Sequence, residues 1–293
     1  MSDDTNNLMQ RIALLKRQFD ELRPSKTEQL PPDLQRTYDI ELTYTSNAIE
    51  GNTLTLGETA DLIEHGITVG GKSLKDHMEV VDHYDTVQWM RSMASGTAPL
   101  DENVITEMHR RIVARSRPEI AGVYSQYARR VVGSPMVFPN PMKIPALMEK
   151  LGKDLSRSDN RPATAFDMHY RLVTIHPFDD GNGRTARLLM NLMLIRSGYV
   201  PVPVRPEDRQ EYRESLKKAQ LEQNKAAPGF QAFMHLRLES VLQQYVNDLG
   251  QGRKGSAQRT PEEEKTDADE KSLKEDRLTP ARRAFLASRG VER

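Results

Sequence analysis

Twelve consecutive residues, His176-Pro-Phe-Asp-Asp180-Gly181-Asn182-Gly183-Arg184-Thr-Ala-Arg187, hold a proton-exchanging imidazole, hard carboxylate oxygens, two glycines and two guanidinium groups. Such a set suits the phosphates of a nucleotide. From Arg184 the run RTARLLMNLMLIRSG is densely apolar and has no Gly or Pro until Gly198, so it reads as a helix with the glycines at its N-terminus. There the first backbone N–H groups lack intrahelical partners and the macrodipole is positive, which favours a phosphate. Arg184 and Arg187 are three apart, share a face, and can hold the outer phosphates of a nucleoside triphosphate. Asp180 can offer an oxygen to a magnesium ion bridging those phosphates, and His176 can exchange a proton. Each feature also has an ordinary reading, as a structural histidine, solvated cations or an Asn-Gly turn. Their coincidence argues otherwise, because two arginines where the macrodipole disfavours cations cost stability that a structural role would not recover.

The segment resembles the signature of the Fic family, His-x-Phe-x-Asp/Glu-Gly-Asn-Gly-Arg-x-x-Arg, and matches every specified position. The resemblance implies a mainly α fold, a Fic-type helical bundle with a small β-hairpin flap beside the active site. It implies a protein adenylyltransferase that moves AMP from ATP, the co-substrate, to a Ser, Thr or Tyr hydroxyl of a target protein, with Mg2+ as its metal. By the same resemblance His176 is the general base and Asp180 the magnesium ligand. Asn182 and the Gly183 amide then hold the α-phosphate, Arg184 the β-phosphate and Arg187 the γ-phosphate. Gly181, Thr185 and Ala186 complete the nucleotide loop (176–187), and Phe178 is its apolar anchor.

A second segment, Thr45-Ser46-Asn47-Ala48-Ile49-Glu50-Gly51-Asn52, resembles the inhibitory motif of the same family, Ser/Thr-x-x-x-Glu-Gly/Asn, over residues 46–51. By itself Glu50 reads as an ordinary last-turn residue before a Gly51 helix stop. The neighbouring runs IEGNTLTLGET and GKSLKDHMEVVDH resemble the stretch preceding the core in family members with an N-terminal inhibitor. If Glu50 pairs with Arg187, the guanidinium is withdrawn from the γ-phosphate and a carboxylate repels the triphosphate. The resemblance also implies a second use of Glu50, orienting a water that removes AMP from a modified side chain.

The elements that must position these groups are legible in part. Leu8, Ile12, Leu15, Phe19 and Leu22 repeat at steps of four and three, an amphipathic helix ended by Pro24. It reads as a core-packing helix or as a short coiled-coil seam joining a homodimer; the former is favoured because coiled coils usually sustain more heptads. After Pro31-Pro32, Leu34, Tyr38 and Leu42 lead into the Glu50 segment. Met78, Val81, Tyr84, Val87 and Trp89 mark a helix over 74–94, in which His77 and His83 lack metal partners at helical spacing and read as surface or core polar groups. Asn103 to Val113 continues the helical series. Ala128 to Val132 and Met136 to Phe138 flank Gly133-Ser134-Pro135 and predict a β-hairpin within about 124–143. By resemblance this is the flap, with Val132 and Gly133 at the nucleotide and Met136 to Phe138 at the target. Gln126 stands where the family often has arginine. Tyr212 reads equally as a half-buried helix aromatic or, by resemblance, as a wall stacking on adenine, with Gln220 two turns on touching the base.

This organisation divides 293 residues into an N-terminal helical region (1–97), a catalytic core (98–245) and a charged tail (246–293). The tail reads as a disordered linker without aromatics until its end, where Thr279 to Gly290 reads as a short basic helix that docks, serves as an address or frays. Net charge is zero, which argues against nucleic acid or an anionic membrane as partner, and there is no cysteine for a disulfide or thiolate site. No apolar run approaches the ~20 residues that span a bilayer, and an ATP-using enzyme is expected in the cytoplasm. Two further readings stand beside the adenylyltransferase: a regulatory Fic module without turnover, and a Fic transferase moving UMP, phosphate or phosphocholine. The intact His176, Asp180, Asn182, Arg184 and Arg187 favour AMP transfer.

Overall fold

The computed structural model describes residues 3–23, 30–128 and 137–258. Among these the chain is carried by α1 (Asp3–Leu22), α2 (Pro32–Glu50), α3 (Leu56–His65), α4 (Leu74–Ser95), α5 (Glu102–Ile112), α6 (Ile144–Ser156), α7 (Pro162–Ile175), α8 (Asn182–Arg196), α9 (Arg209–Leu221) and α10 (Pro228–Gln258). Residues Met1–Val246 form one compact unit and Asn247–Arg293 a second. Helices α4 and α5, on either side of residue 98, pack on one another and both pack on α8. Helix α8 lies at the centre, buried from Arg184 to Ile195 and packed against α7, α4, α5 and α2. A helix apolar on nearly all sides is stable only with such a surround.

Helix α1 answers the alternative left by its sequence. Leu8, Ile12, Leu15 and Phe19 are buried within the chain itself, and Phe19 meets Tyr245, which stacks on Tyr38. The apolar seam therefore belongs to this core, and burying each such side chain contributes roughly 1.5–3 kcal/mol. Helix α2 stops at Glu50 because Gly51 takes φ 101°, a left-handed conformation that a side chain would strain. The Gly51 and Asn52 N–H groups close the helix on Ala48 O and Asn47 O, which leaves Glu50 on the last turn.

Helix α4 departs from its expected stripe. Met78, Val81, Tyr84 and Trp89 are only half-buried, whereas His77, Glu79, Val80, Asp82, His83, Thr86, Val87 and Met90 face inward. The buried polar groups have partners elsewhere in the chain. Asp82 accepts from the Arg115 and Ser116 N–H groups at 2.9 and 3.0 Å, from Ser116 Oγ at 3.1 Å and from Arg115 Nη1 at 2.9 Å.

The described residues contain no strand; Tyr124 and Phe178 form an isolated antiparallel bridge. Residues 129–136, with most of the expected hairpin and with Val132 and Gly133, lie outside the described residues. So do residues 259–293 with the expected basic helix at Thr279 to Gly290. The segment from 246, expected as a linker, continues α10 as helix to Gln258, since extending a nucleated helix adds one hydrogen bond per residue ordered. Among the described residues no helix is long and apolar enough to cross a membrane.

Candidate active site

The loop between α7 and α8 is fixed by its own backbone and by one imidazole. Phe178 is fully buried; its N–H donates to Asn182 Oδ1 at 2.9 Å and its carbonyl accepts from Asn182 Nδ2 at 2.8 Å. The Ser125 N–H donates to Pro177 O at 2.8 Å. His109 of α5 stacks on Phe178 at 3.7 Å with the two planes parallel within 1°. Its Nδ1 accepts from the Gly122 N–H at 3.0 Å, which assigns the proton to Nε2, and Nε2 donates to Asp180 O at 3.0 Å. Burial pushes the His109 pKa down to about 4, so this tautomer stays neutral at physiological pH. His176 terminates α7 at φ 53°, ψ 54°, a left-handed conformation that costs a non-glycine residue about 1–3 kcal/mol. Its N–H still donates to Leu172 O at 2.9 Å, and its ring stacks on Phe138 at 4.0 Å.

Helix α8 opens with Gly181 as N-cap, so Asn182, Gly183 and Arg184 form its first turn. Asp180 Oδ1 accepts from the Gly181 N–H at 2.7 Å, with Arg184 Nη2 at 3.8 Å; Oδ2 lies 3.7 Å from Arg117 Nη1. Desolvation opposes ionisation of Asp180, but Arg184 and the Gly181 N–H outweigh it and hold the carboxyl below its ordinary value. Arg184 is 2% exposed and lies 3.4 Å from Glu79 Oε1. Its Nε and Nη1 have no hydrogen-bond partner among the described residues. A buried guanidinium with unspent donors is costly unless a ligand takes them up.

Arg187, 3% exposed, is held from two directions. Nη2 donates to Glu50 Oε1 at 2.8 Å and to Ser46 O at 2.9 Å, and Nε donates to Ser46 Oγ at 3.0 Å, all on α2. Nη1 donates to the Tyr212 hydroxyl of α9 at 3.5 Å. Arg213 Nη2 lies 3.6 Å from Glu50 Oε2, and Arg209 Nε and Arg213 Nη2 cap the Ile49 carbonyl at 2.9 and 3.0 Å. Burial raises the Glu50 pKa, but Arg187, with Arg184 and Arg213 behind it, prevails and sets it below the ordinary carboxylate value. Glu50 Oε1 sits so close to Gly183 that a Cβ at that position would overlap it. A carboxylate thus lies beside the first turn of α8, where the macrodipole favours negative charge.

The structure gathers His176, Asp180 to Arg187 and Glu50 around one helix terminus. Thr185 is buried with its hydroxyl donating to Gly181 O at 2.9 Å, and Ala186 is buried in the core. Asn182, expected at a phosphate, spends both ends of its carboxamide on Phe178. Tyr212, read by sequence either as a half-buried helix aromatic or as a wall for adenine, is 3% exposed, set among Phe230 and Phe233, with its hydroxyl on His169 and Arg187. The ring is buried because the polar tip has partners inside. Gln220 is part-buried and donates to Thr174 Oγ1 at 3.2 Å. His77 ties Ser73 O to the Val69 N–H, and His83 is a buried polar group 3.4 Å from Thr43 Oγ1. His109, Glu79, His169, Arg209 and Arg213 were not singled out by sequence, since each is a solitary residue brought in by packing.

No group of three or more His, Cys, Asp or Glu able to hold a metal occurs among the described residues. Asp180, ionised and at the mouth of the phosphate-binding turn, fits the way magnesium is usually held, by one or two carboxylates with substrate phosphates and water.

A family model described as Fic/DOC family matches residues 99–194. The chain is 39% identical over 183 residues to the protein adenylyltransferase Fic of Nematostella vectensis, covering 60% of this chain and 42% of that one. It is 32% identical over 276 residues to the protein adenylyltransferase fic-1 of Caenorhabditis elegans, covering 87% and 51%. The chain spans about half the length of the curated relatives it matches. Among solved structures, a Fic domain containing signaling protein from Bacteroides thetaiotaomicron VPI-5482 superposes with a TM-score of 0.73 at 30% identity, covering 82% of this chain and 97% of that one.

Proposed function

The chain belongs to the Fic family, and from that premise we propose that it is a protein adenylyltransferase, restrained by its own Glu50. The observation that carries the reading is the pair of buried arginines, 184 and 187, at the N-terminus of α8 with His176 at the other end of the same loop. The naming of its relatives as protein adenylyltransferases supports it. A Ser, Thr or Tyr hydroxyl of a target protein attacks the α-phosphorus of ATP; the new O–P bond forms as the bond to the β-phosphate oxygen breaks, and pyrophosphate leaves. His176 accepts the hydroxyl proton. The Gly183 amide receives the α-phosphate, Arg184 turns its unspent Nε donor to the β-phosphate, and Arg187 takes the γ-phosphate once Glu50 releases it. Asp180 holds Mg2+, which when bound neutralises phosphate charge. Gln220 of α9 serves as the polar contact to the base. The enzyme works in the cytosol, where ATP is supplied.

Glu50 stands 2.8 Å from Arg187 and against Gly183, so a triphosphate cannot take its aligned position while that carboxylate remains. Misalignment alone can suppress turnover about a hundredfold. The same carboxylate can orient a water toward an AMP-modified side chain, which gives the site a removal activity. The test is to incubate wild-type and Glu50→Gly protein with cell lysate and ATP labelled at either the α or the γ position. Transfer of label to protein from the α position alone supports nucleotidyl transfer, and transfer from the γ position alone refutes it.

A further inference from the structure

Four hydrogen bonds hold Arg187, and three of them come from the helix that restrains it. Ser46 Oγ, Ser46 O and Glu50 Oε1 all lie on the last turns of α2. When Glu50 withdraws with the end of α2, those partners are the ones placed to move. The fourth contact, Nη1 to the Tyr212 hydroxyl at 3.5 Å, comes from α9 and is independent of α2. Its length leaves it the least engaged of the four while the carboxylate draws the guanidinium the other way.

The polarity of this contact is defined by what lies behind it. Arg187 is a donor only, so the Tyr212 oxygen accepts from it and the Tyr212 O–H is left to donate. Its recipient is His169 Nε2 of α7 at 2.8 Å. In that arrangement His169 is neutral with its proton on Nδ1, and its neutrality follows from burial foremost, then the charge of Arg187, which hold its pKa down to about 3. That Nδ1 has no partner among the described residues. An orphaned buried N–H is a cost that an apolar residue at 169 would avoid, so the Nε2 acceptor must return something. His169 is stacked on Phe230, and Tyr212 is fixed between Phe230 and Phe233, so neither ring is free to turn away.

We propose that Tyr212 and His169 are positioning residues for Arg187: the directed chain Arg187 to Tyr212 to His169 keeps the guanidinium aimed at the terminal phosphate after Glu50 has let go. The proposal rests on the reading of Arg187 as the γ-phosphate ligand, and it assigns Tyr212 a task other than contact with the base. It also accounts for a polar triad buried among aromatic rings where packing alone would place hydrocarbon.

The experiment compares ATP and ADP binding, in Mg2+, to Glu50→Gly protein and to the same protein with Tyr212→Phe, by calorimetry, with thermal melts to verify folding. ADP lacks the γ-phosphate and reports on every other part of the site. Tyr212→Phe is expected to weaken ATP by about tenfold and leave ADP unchanged, the loss of one hydrogen bond to a charged group. His169→Leu in the same background should reproduce that loss without adding to it in the double variant, whereas His169→Gln, whose side-chain oxygen can accept from Tyr212, should retain most of the ATP preference. An unaltered preference for ATP over ADP in folded Tyr212→Phe protein overturns the proposal, as does equal weakening of both nucleotides. If the Glu50→Gly parent itself does not prefer ATP, the fault lies with the γ-phosphate assignment of Arg187 and not with the chain behind it.

Discussion

Replacing Glu50 by glutamine keeps the side chain's size and removes its charge, and it sets stability and nucleotide affinity against one another. Glu50 Oε1 accepts from Arg187 Nη2 at 2.8 Å, and a hydrogen bond between charged groups contributes roughly 1.5–3 kcal/mol when desolvated. The Glu50 side chain is 36% exposed, so solvent screening reduces this to about 1–2 kcal/mol. Ser46 and Tyr212 continue to satisfy Arg187, which spares the protein the larger penalty of an isolated buried charge. The ligand-free protein should therefore melt about 2–8 °C lower. The same interaction must be broken for a γ-phosphate to reach Arg187, so its removal should tighten ATP by roughly fivefold to thirtyfold. ADP, which does not reach Arg187, should gain only from removal of the charge beside Gly183, and so less than ATP. Differential scanning fluorimetry without nucleotide and calorimetric titration with each nucleotide in Mg2+ measure the two effects. Equal tightening of ATP and ADP would mean that Glu50 acts on the whole site through charge rather than on Arg187, and an unchanged melting temperature would mean that the pair contributes nothing to the fold.

His176→Ala should lower AMP transfer by about a hundredfold to ten-thousandfold with nucleotide affinity nearly intact; a labelling assay beside calorimetry checks both, and undiminished labelling removes the imidazole from the role of base. Asp180→Ala should lose most transfer and its response to added magnesium, measured as rate against Mg2+ concentration in both proteins; a rate that still rises with Mg2+ in the variant places the metal elsewhere. Because the folded Glu50 pKa is depressed, mainly by Arg187 acting against desolvation, its stabilisation is fully present above the ordinary carboxylate range and is lost as pH falls through the lowered native value. The stability difference between wild type and Glu50→Gln should accordingly be constant near neutrality and vanish in acid, and a difference that persists in acid denaturation curves would assign it to packing instead of charge.

The contiguous part of the site was legible because a loop that turns a chain into a helix N-terminus needs its glycines, carboxylate and arginines in fixed order. Glu50 was singled out only through its resemblance to a motif, because the Gly51 stop, at φ 101° in the structure, places a carboxylate on the last turn of α2 without saying what it faces. What escaped the sequence comes from elsewhere in the chain one residue at a time. His109 has only its place on α5 to recommend it, yet it stacks on Phe178 and holds the Asp180 carbonyl. The inward face of α4 was only partly legible: His83 was allowed as a core polar group, but the buried Glu79 and Asp82 are polar residues that periodicity of apolar residues cannot register. Tyr212 was left between a half-buried helix aromatic and an adenine wall, because the partners that hold its hydroxyl, His169 and Arg187, lie on other helices. The α1 seam, ambiguous between a partner and the core, was settled by Tyr38 and Tyr245, far along the chain.

The central claim is that one carboxylate, Glu50, restrains one arginine, Arg187, in an otherwise complete transfer site. Its most direct test is the rate of AMP transfer from α-labelled ATP at saturation, on the same lysate or by self-modification, in wild type, Glu50→Gly, Arg187→Ala and the double variant. The account predicts a rise of about tenfold or more for Glu50→Gly, near inactivity for Arg187→Ala, and little recovery when the two are combined. A Glu50→Gly rate equal to wild type, or independent effects that add in the double variant, would contradict it.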